Sequence, residues 1–526
     1  MHSSNNLFGR ILLILAVFSL ALSACQPSGT PLPTLDIPTL PFPAVKPTAV
    51  LPTLAPTEPV PTQPPSTRYK DASLPLEQRA ADLLGQMTLA EKIGQMTQIE
   101  INSIPDPKLV TQKLLGSVLS GGDGQPKPNT PENWVKMVSG VQQAALQTRL
   151  GIPLLYGIDA VHGHNAVYGA VVYPHNIGLG AAGDPALVAQ IGRATAEEMT
   201  ATGILWNFAP VLAVVQDIRW GRTYESYGEN TDLVTRLGTA YVQGLQGVGL
   251  SAPSSVLAPA AVLASLKHFI GDGGTAWGSS TSQGYKLDQG DVQLDDASLR
   301  KLFLPPYKAA IDAGALNVMA SFSSVRGTKM HANKVLLTDL LKGELGFQGF
   351  VVSDWGGVDQ VASSYSQAVA ESINAGVDMV MVPYDANKFI TTLTAAVASG
   401  AVLQARIDDA VGRILWVKFK LGLFDERPPA DASLLGAIGS DAHRQLARQA
   451  VAKSLVLLKN DAQALPLSKA APLILVAGQA ADDIGIQCGG WTMGWQGQSG
   501  AVTAGTTLLK GIQAAASGSV QYNRYG

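Results

Sequence analysis

Seven short apolar runs recur between residues 115 and 383, each followed by a longer stretch in which apolar residues return every three or four positions. The runs are LGSVLS (Leu115–Ser120), PLLYGID (Pro153–Asp159), WNFAPVL (Trp206–Leu212), LASLKHF (Leu263–Phe269), LNVMASFS (Leu316–Ser323), GFVVSDW (Gly349–Trp355) and VDMVMVP (Val377–Pro383). A brief apolar run bounded by glycine or polar residues reads as a strand buried on both faces, and such strands belong to parallel sheets wrapped by helices. The stretches between them have helical period, as in Pro185–Thr202, in Asp232–Gln246 behind Thr231 as N-cap, and in Val335–Leu345. Alternating units in this number close most simply into a TIM-like (β/α)8 barrel, so the expected fold class is α/β, with the barrel over 68–424.

The flanks follow a different logic. Arg10, the apolar stretch Ile11–Leu22 and the small residues Ser23 and Ala24 form an export signal over 1–24, too short to span a bilayer as a mature helix. In LSAC, Cys25 falls where the small residues end the apolar run, the arrangement of a bacterial lipoprotein site in which that cysteine is lipidated. Of the 32 prolines, 13 lie between Gln26 and Thr67, and such a composition cannot bury enough surface to fold, so 25–67 is expected to be a tether in polyproline II conformation. These features imply an extracytoplasmic protein, held to the bacterial cell membrane by its lipid alone or else secreted.

Beyond the barrel, 425–440 has the charge and proline content of a linker. The segment 441–526 opens a second α/β sandwich domain, with a helix at Ser440–Lys453 and strands at SLVLLKN (Ser454–Asn460) and PLILVAG (Pro472–Gly478). Fewer than a hundred residues follow the linker, and this domain is therefore expected to be incomplete.

Composition removes several function classes. With 37 basic and 40 acidic residues and no basic cluster, nucleic acid is not an expected partner. Cys25 and Cys488 are too few for a cysteine metal site or disulfide framework. No HExxH, GxGxxG, GxxxxGK[ST] or GxSxG motif occurs in a fitting context, so no metal and no cofactor is expected.

The strand ends carry the chemistry. Asp159 and His162, Lys267 with His268, Ser321, and Asp354 with Trp355 all fall at or just beyond the carboxyl ends of expected strands, the edge at which barrel enzymes assemble their clefts. The loop DIRWGRTYESYGEN (Asp217–Asn230) adds Arg219, Arg222 and Glu225. Many hydrogen-bonding groups flanked by aromatics suit a polyhydroxylated ligand such as a sugar. At this level Asp354 is either a catalytic acid or a helix cap, and Lys267 is a member of the polar cleft, a structural ion-pair partner or a Schiff-base amine.

From about Leu74 onward the chain resembles glycoside hydrolase family 3, in particular the two-domain β-glucosidases and exo-β-glucanases. The resemblance rests on GIDAVHGHN (Gly157–Asn165), RWGRTYESYGE (Arg219–Glu229), KHFIGDGG (Lys267–Gly274), GFVVSDW and QCGGWTMGWQG (Gln487–Gly497), in that order. It implies a retaining exo-acting β-glucosidase with Asp354 as nucleophile, working through a covalent glycosyl-aspartate. It assigns Asp159, Arg222, Lys267 and His268 to the hydroxyls of the innermost sugar, and Trp355 and Trp491 to the faces of the next one. Lys267 and Arg222 beside Asp354 are expected to favour its charged form. The implied partners are β-linked glucosides or glucan oligosaccharides, with membrane contact only through the lipid; the oligomeric state is not implied.

Two departures qualify the resemblance. The single-domain N-acetylglucosaminidases of the family read KHFPGHG where this chain has Ile270 and Asp272, which disfavours that branch. Two-domain relatives place the general acid on a glutamate several dozen residues beyond the motif matched by GGWT, yet no carboxylate follows Asp483 here. The acid is therefore expected beyond residue 526, in a longer hydrolase. The alternative is a catalytically silent surface protein that binds sugar.

Overall fold

Strand Leu263–Phe269 shows why the apolar runs become barrel staves: every one of its residues is buried, a state open only to a strand with neighbours on both edges and packing on both faces. The structure, a computed structural model, describes residues 66–247, 261–282, 284–425 and 432–526. Cys25, the export signal, nearly all of the expected tether and part of the expected linker lie outside the described residues.

The barrel strands are β1 (Thr97–Glu100), β2 (Ser117–Ser120), β3 (Leu155–Ile158), β4 (Trp206–Asn207), β5 (Leu263–Phe269), β6 (Asn317–Ala320), β7 (Phe350–Val352) and β8 (Val380–Met381). They form one 8-stranded sheet in the order β7-β6-β5-β4-β3-β2-β1-β8, parallel at every pairing. A parallel bridge from Val352 to Met379, with Ser353 N–H donating to Met379 O at 2.9 Å, joins the two ends. The architecture is a TIM-like (β/α)8 barrel. All seven of the strands expected within the barrel form, although β4 and β8 are short.

The strand that the apolar pattern misses is β1, because three of its residues, Thr97, Gln98 and Glu100, are polar and yet buried. Burial is tolerated because partners exist: Gln98 Nε2 donates to Ser117 Oγ at 2.7 Å, and Ser117 Oγ donates to Leu155 O at 2.8 Å. Beside this polar layer the interior is aromatic, with the Trp206 ring 4.9 Å from Phe208 and 5.3 Å from Phe350. At the amino-terminal ends of β2 and β3, the buried Lys418 donates to Gln95 Oε1 (2.6 Å), Gly116 O (2.9 Å) and Pro153 O (2.7 Å).

Helix boundaries differ in detail from the sequence pattern. Asn230, not Thr231, caps the helix Thr231–Gln246, its side chain accepting from Leu233 N–H at 2.8 Å. The segment Val335–Glu344 winds as a π-helix, with Leu345 N–H donating five residues back to Leu340 O.

After the barrel, helix Asp441–Ser454 starts at the N-cap Ser440 and packs on helices Asn176–Ala182 and Pro185–Ala201. Glu198, buried on the last of these, accepts from Val171 N–H (3.1 Å) and Gly439 N–H (3.0 Å), and lies 2.9 Å from His443 Nδ1. Strands β9 (Leu473–Ala477) and β10 (Ser519–Asn523) pair in parallel, Leu473 opposite Ser519. The expected strand Ser454–Asn460 does not form. Leu458 is 90% exposed and Leu455 75%, since no neighbouring strand among the described residues supplies a hydrogen-bond ladder there.

Candidate active site

Asp354 leaves the end of β7 with a buried carboxylate whose two oxygens have different surroundings. Oδ1 accepts from Trp355 N–H at 2.6 Å, while Oδ2 accepts no hydrogen bond from the described residues and lies 3.5 Å from His268 Nε2. The backbone of Asp354 is fixed from behind, its N–H donating to His331 Nε2 at 3.0 Å. Burial holds the His331 pKa down to about 3, so the ring is neutral and its Nε2 is free to accept. Gly357 makes room for that ring, since a Cβ there would sit 2.4 Å from it.

The expected hydroxyl-binding residues converge on this carboxylate. Lys267, on β5, donates to Asp159 Oδ1 at 2.5 Å, just past the end of β3. His268 Nδ1 lies 2.5 Å from Asp272 Oδ2, and its Nε2 is 3.1 Å from Arg222 Nη2. Arg222 is held in turn by a two-pronged pair with Glu225, at 2.8 and 2.9 Å. Ser321 Oγ donates to the Asp272 carboxylate. Asp159, Arg222, Lys267, His268 and Asp354 thus form one connected group at the carboxyl edge of the barrel.

Charges in this group act unequally. Burial would raise Glu225, but the Arg222 guanidinium, helped by Lys267 and His268, brings its pKa down to about 2. Asp272 is also lowered: burial works upward and is outweighed by His268 and Arg222. For Asp354 the balance reverses, although Arg222 and Lys267 favour its charged form as expected. Burial raises its pKa, and His268, Arg222, the Trp355 N–H and Lys267 only partly offset it.

Two indoles border the pocket. Trp355 packs edge-on against Tyr384 at 5.6 Å, and its ring occupies the space that a Cβ on Gly121 would need. Trp491 comes from the later α/β unit, with left-handed backbone at φ 57°, and its ring centroid lies 5.2 Å from Lys267 Nζ. The loop carrying it is tied to the barrel: Met493 N–H donates to Asn165 O (3.1 Å), Gln125 Nε2 to Met493 O (2.9 Å), and Thr492 Oγ1 lies 3.2 Å from His162 Nε2. His162 therefore serves the loop. Arg219 is also set apart, paired with Asp217 and stacked on Trp277.

Sequence reasoning overlooked His331, which lies in a turn with no strand-end signal, and treated Asp272 only as a departure from a related motif. It also missed Glu100, at the end of the unrecognised β1. Burial pushes that carboxyl up to about 7, against hydrogen bonds from Asn102 and Ser103.

Residues 88–417 match the model of the glycosyl hydrolase family 3 N terminal domain. The chain is 33% identical over 470 residues to the lysosomal beta glucosidase of Dictyostelium discoideum, covering 84% of this chain and 56% of that protein. It is 32% identical over 447 residues to the periplasmic beta-glucosidase of Salmonella typhimurium, covering 82% and 53%. A crystal structure of a mutant exo-1,3/1,4-beta-glucanase from a Pseudoalteromonas species superposes with a TM-score of 0.79 at 41% identity, over 85% of this chain and 73% of that one. The chain spans about half the length of the curated relatives it matches. On the family model and on these identities together, the chain belongs to glycosyl hydrolase family 3.

Proposed function

We propose that the protein is a retaining, exo-acting β-glucosidase that removes terminal glucosyl residues from β-glucosides or β-glucans. The observation that carries this is Asp354 Oδ2: an enclosed carboxylate oxygen, unpartnered among the described residues, facing the group that includes His268, Arg222 and Lys267. An oxygen with no competing hydrogen bond is free to attack an anomeric carbon and form a glycosyl-aspartate. Asp159, Lys267, His268 and Arg222 would hold the hydroxyls of the bound glucose, and Trp355 and Trp491 would flank the leaving group. The names of the relatives, beta-glucosidases and an exo-glucanase, support the same reaction class.

Proton donation to the leaving oxygen is assigned to no residue of this sequence. A general acid contributes about 10² to 10⁴ in rate to such a reaction. The export signal, with Cys25 as lipid acceptor, would put the enzyme outside the cytoplasm, as with its periplasmic and lysosomal relatives.

The test avoids any need for the acid. A 2-deoxy-2-fluoro-β-glucoside with a dinitrophenolate leaving group should label the chain with one 2-deoxy-2-fluoroglucosyl unit as dinitrophenolate departs, and mass spectrometry should find it on the peptide carrying Asp354. Labelling of another carboxylate would remove Asp354 from the role. Glucose binding with no labelling at all would favour the silent sugar-binding alternative.

A further inference from the structure

Outside the Asp354 pocket lies an open cleft of about 750 Å³, between the loops that carry Arg219, Trp277 and Trp495. That size lies in the range of ligand sites, and it gives room for more than one pyranose ring. The cleft adjoins the pocket, because Arg222 on its lining lies 3.1 Å from His268 Nε2, the atom 3.5 Å from Asp354 Oδ2. Its outer walls are aromatic: Trp277 is 54% exposed, Trp495 48% and Tyr285 42%.

Wide aromatic surfaces left in water along one cleft point to a ligand with apolar faces. Trp277 is also held in place. The Arg219 guanidinium lies 4.0 Å from its ring centroid and is itself paired with Asp217, Nε at 2.9 Å from Oδ1 and Nη2 at 2.5 Å from Oδ2. With one face supported by a fixed cation, the exposed remainder of the indole is a ready stacking surface. A β-linked pyranose presents a C–H face that stacks on such rings, while Arg219 and Asp288 supply polar groups for its hydroxyls.

Resting on the β-glucosidase reading above, we propose that this cleft is an outer subsite on the leaving-group side. Trp277 and Tyr285 there bind the reducing-end residues of a β-gluco-oligosaccharide whose terminal glucose occupies the Asp354 pocket. The favoured substrates are then oligosaccharides longer than a disaccharide, in preference to small aryl or alkyl glucosides.

Calorimetric titration of the 526-residue chain with glucose and with thio-linked β-gluco-oligosaccharides, which resist cleavage, tests the subsite. Affinity should rise by roughly three- to tenfold from disaccharide to tetrasaccharide, the scale of one or two aromatic contacts. Trp277→Ala and Tyr285→Ala should each lose most of that gain and leave glucose affinity and thermal melting unchanged. Glucose binding with no gain in length, or a gain that survives both substitutions, overturns the subsite alone. Failure of glucose and every oligosaccharide to bind overturns the glucosidase reading and the subsite with it.

Discussion

His162 and His175 stack face to face, ring centroids 3.9 Å apart and planes 18° from parallel, and each holds the loop that carries Trp491. Nδ1 of His162 lies 3.0 Å from Tyr173 O, a carbonyl that can only accept, so that nitrogen bears the hydrogen and Nε2 is left to accept from Thr492 Oγ1. His175 Nε2 donates to Cys488 O at 3.1 Å. Burial lowers the pKa of both rings, so the stack is neutral at neutral pH.

The first prediction follows from that stack. A lowered histidine pKa gives stability that is present above the unfolded value of ~6.5 and is lost as pH falls through the folded one. Glucose affinity should therefore weaken on acidification as the two rings charge against each other and free the loop. His175→Asn should weaken glucose binding about three- to tenfold at neutral pH, the cost of one hydrogen bond, and flatten the acid limb. Calorimetry across the pH range reads both effects.

Asp354 bears a cost of its own. Its raised pKa means that the charged carboxylate opposes folding at neutral pH, a burden that disappears only as pH falls below the unfolded value. Asp354→Asn should abolish labelling by the fluoroglucoside while stabilising the protein by ~0.5–2 kcal/mol in denaturant titrations. A destabilised variant would show that the surrounding cations matter more than burial.

Gly357→Ala should act at a distance of one ring. The added Cβ would meet His331 at 2.4 Å and push it off the Asp354 N–H. We expect a loss of about 1–3 kcal/mol in stability from overpacking and a slower labelling rate, with glucose affinity less affected.

The junction between the barrel and the helix Asp441–Ser454 should respond to alkali. The hydrogen bond to Glu198 raises the His443 pKa despite burial. Its contribution is complete below the unfolded value of ~6.5 and is lost as pH rises through the folded one. The melting-temperature difference between wild type and His443→Gln should be widest in mild acid and shrink toward alkaline pH.

Much of the barrel was legible because its strands are buried on both faces, which forces apolar runs into the sequence. β1 escaped because Gln98 and Glu100 turn polar groups inward, where only the fold supplies partners such as Ser117. Asp159, Lys267, His268 and Asp354 stood out as polar residues ending apolar runs. The support of His331 for Asp354 was hidden, since it depends on a turn 23 residues away in sequence. The direction of the Asp354 pKa was hidden as well, because neighbouring charges can be guessed from motifs but depth of burial cannot. Ser454–Asn460 misled for the opposite reason: an apolar run becomes a strand only where another strand is beside it.

Trp491 comes far later in the chain than Lys267, the residue whose ammonium faces its ring, and the two meet only because Asn165, Gln125 and His162 dock its loop. During synthesis the barrel strands therefore emerge well before one wall of their pocket. A nascent chain can close its barrel and bury its core while the pocket still stands open to solvent. On the proposed function, sugar binding would report a later event than barrel folding, and a ribosome-bound chain halted before residue 488 would be a folded barrel with an unfinished pocket.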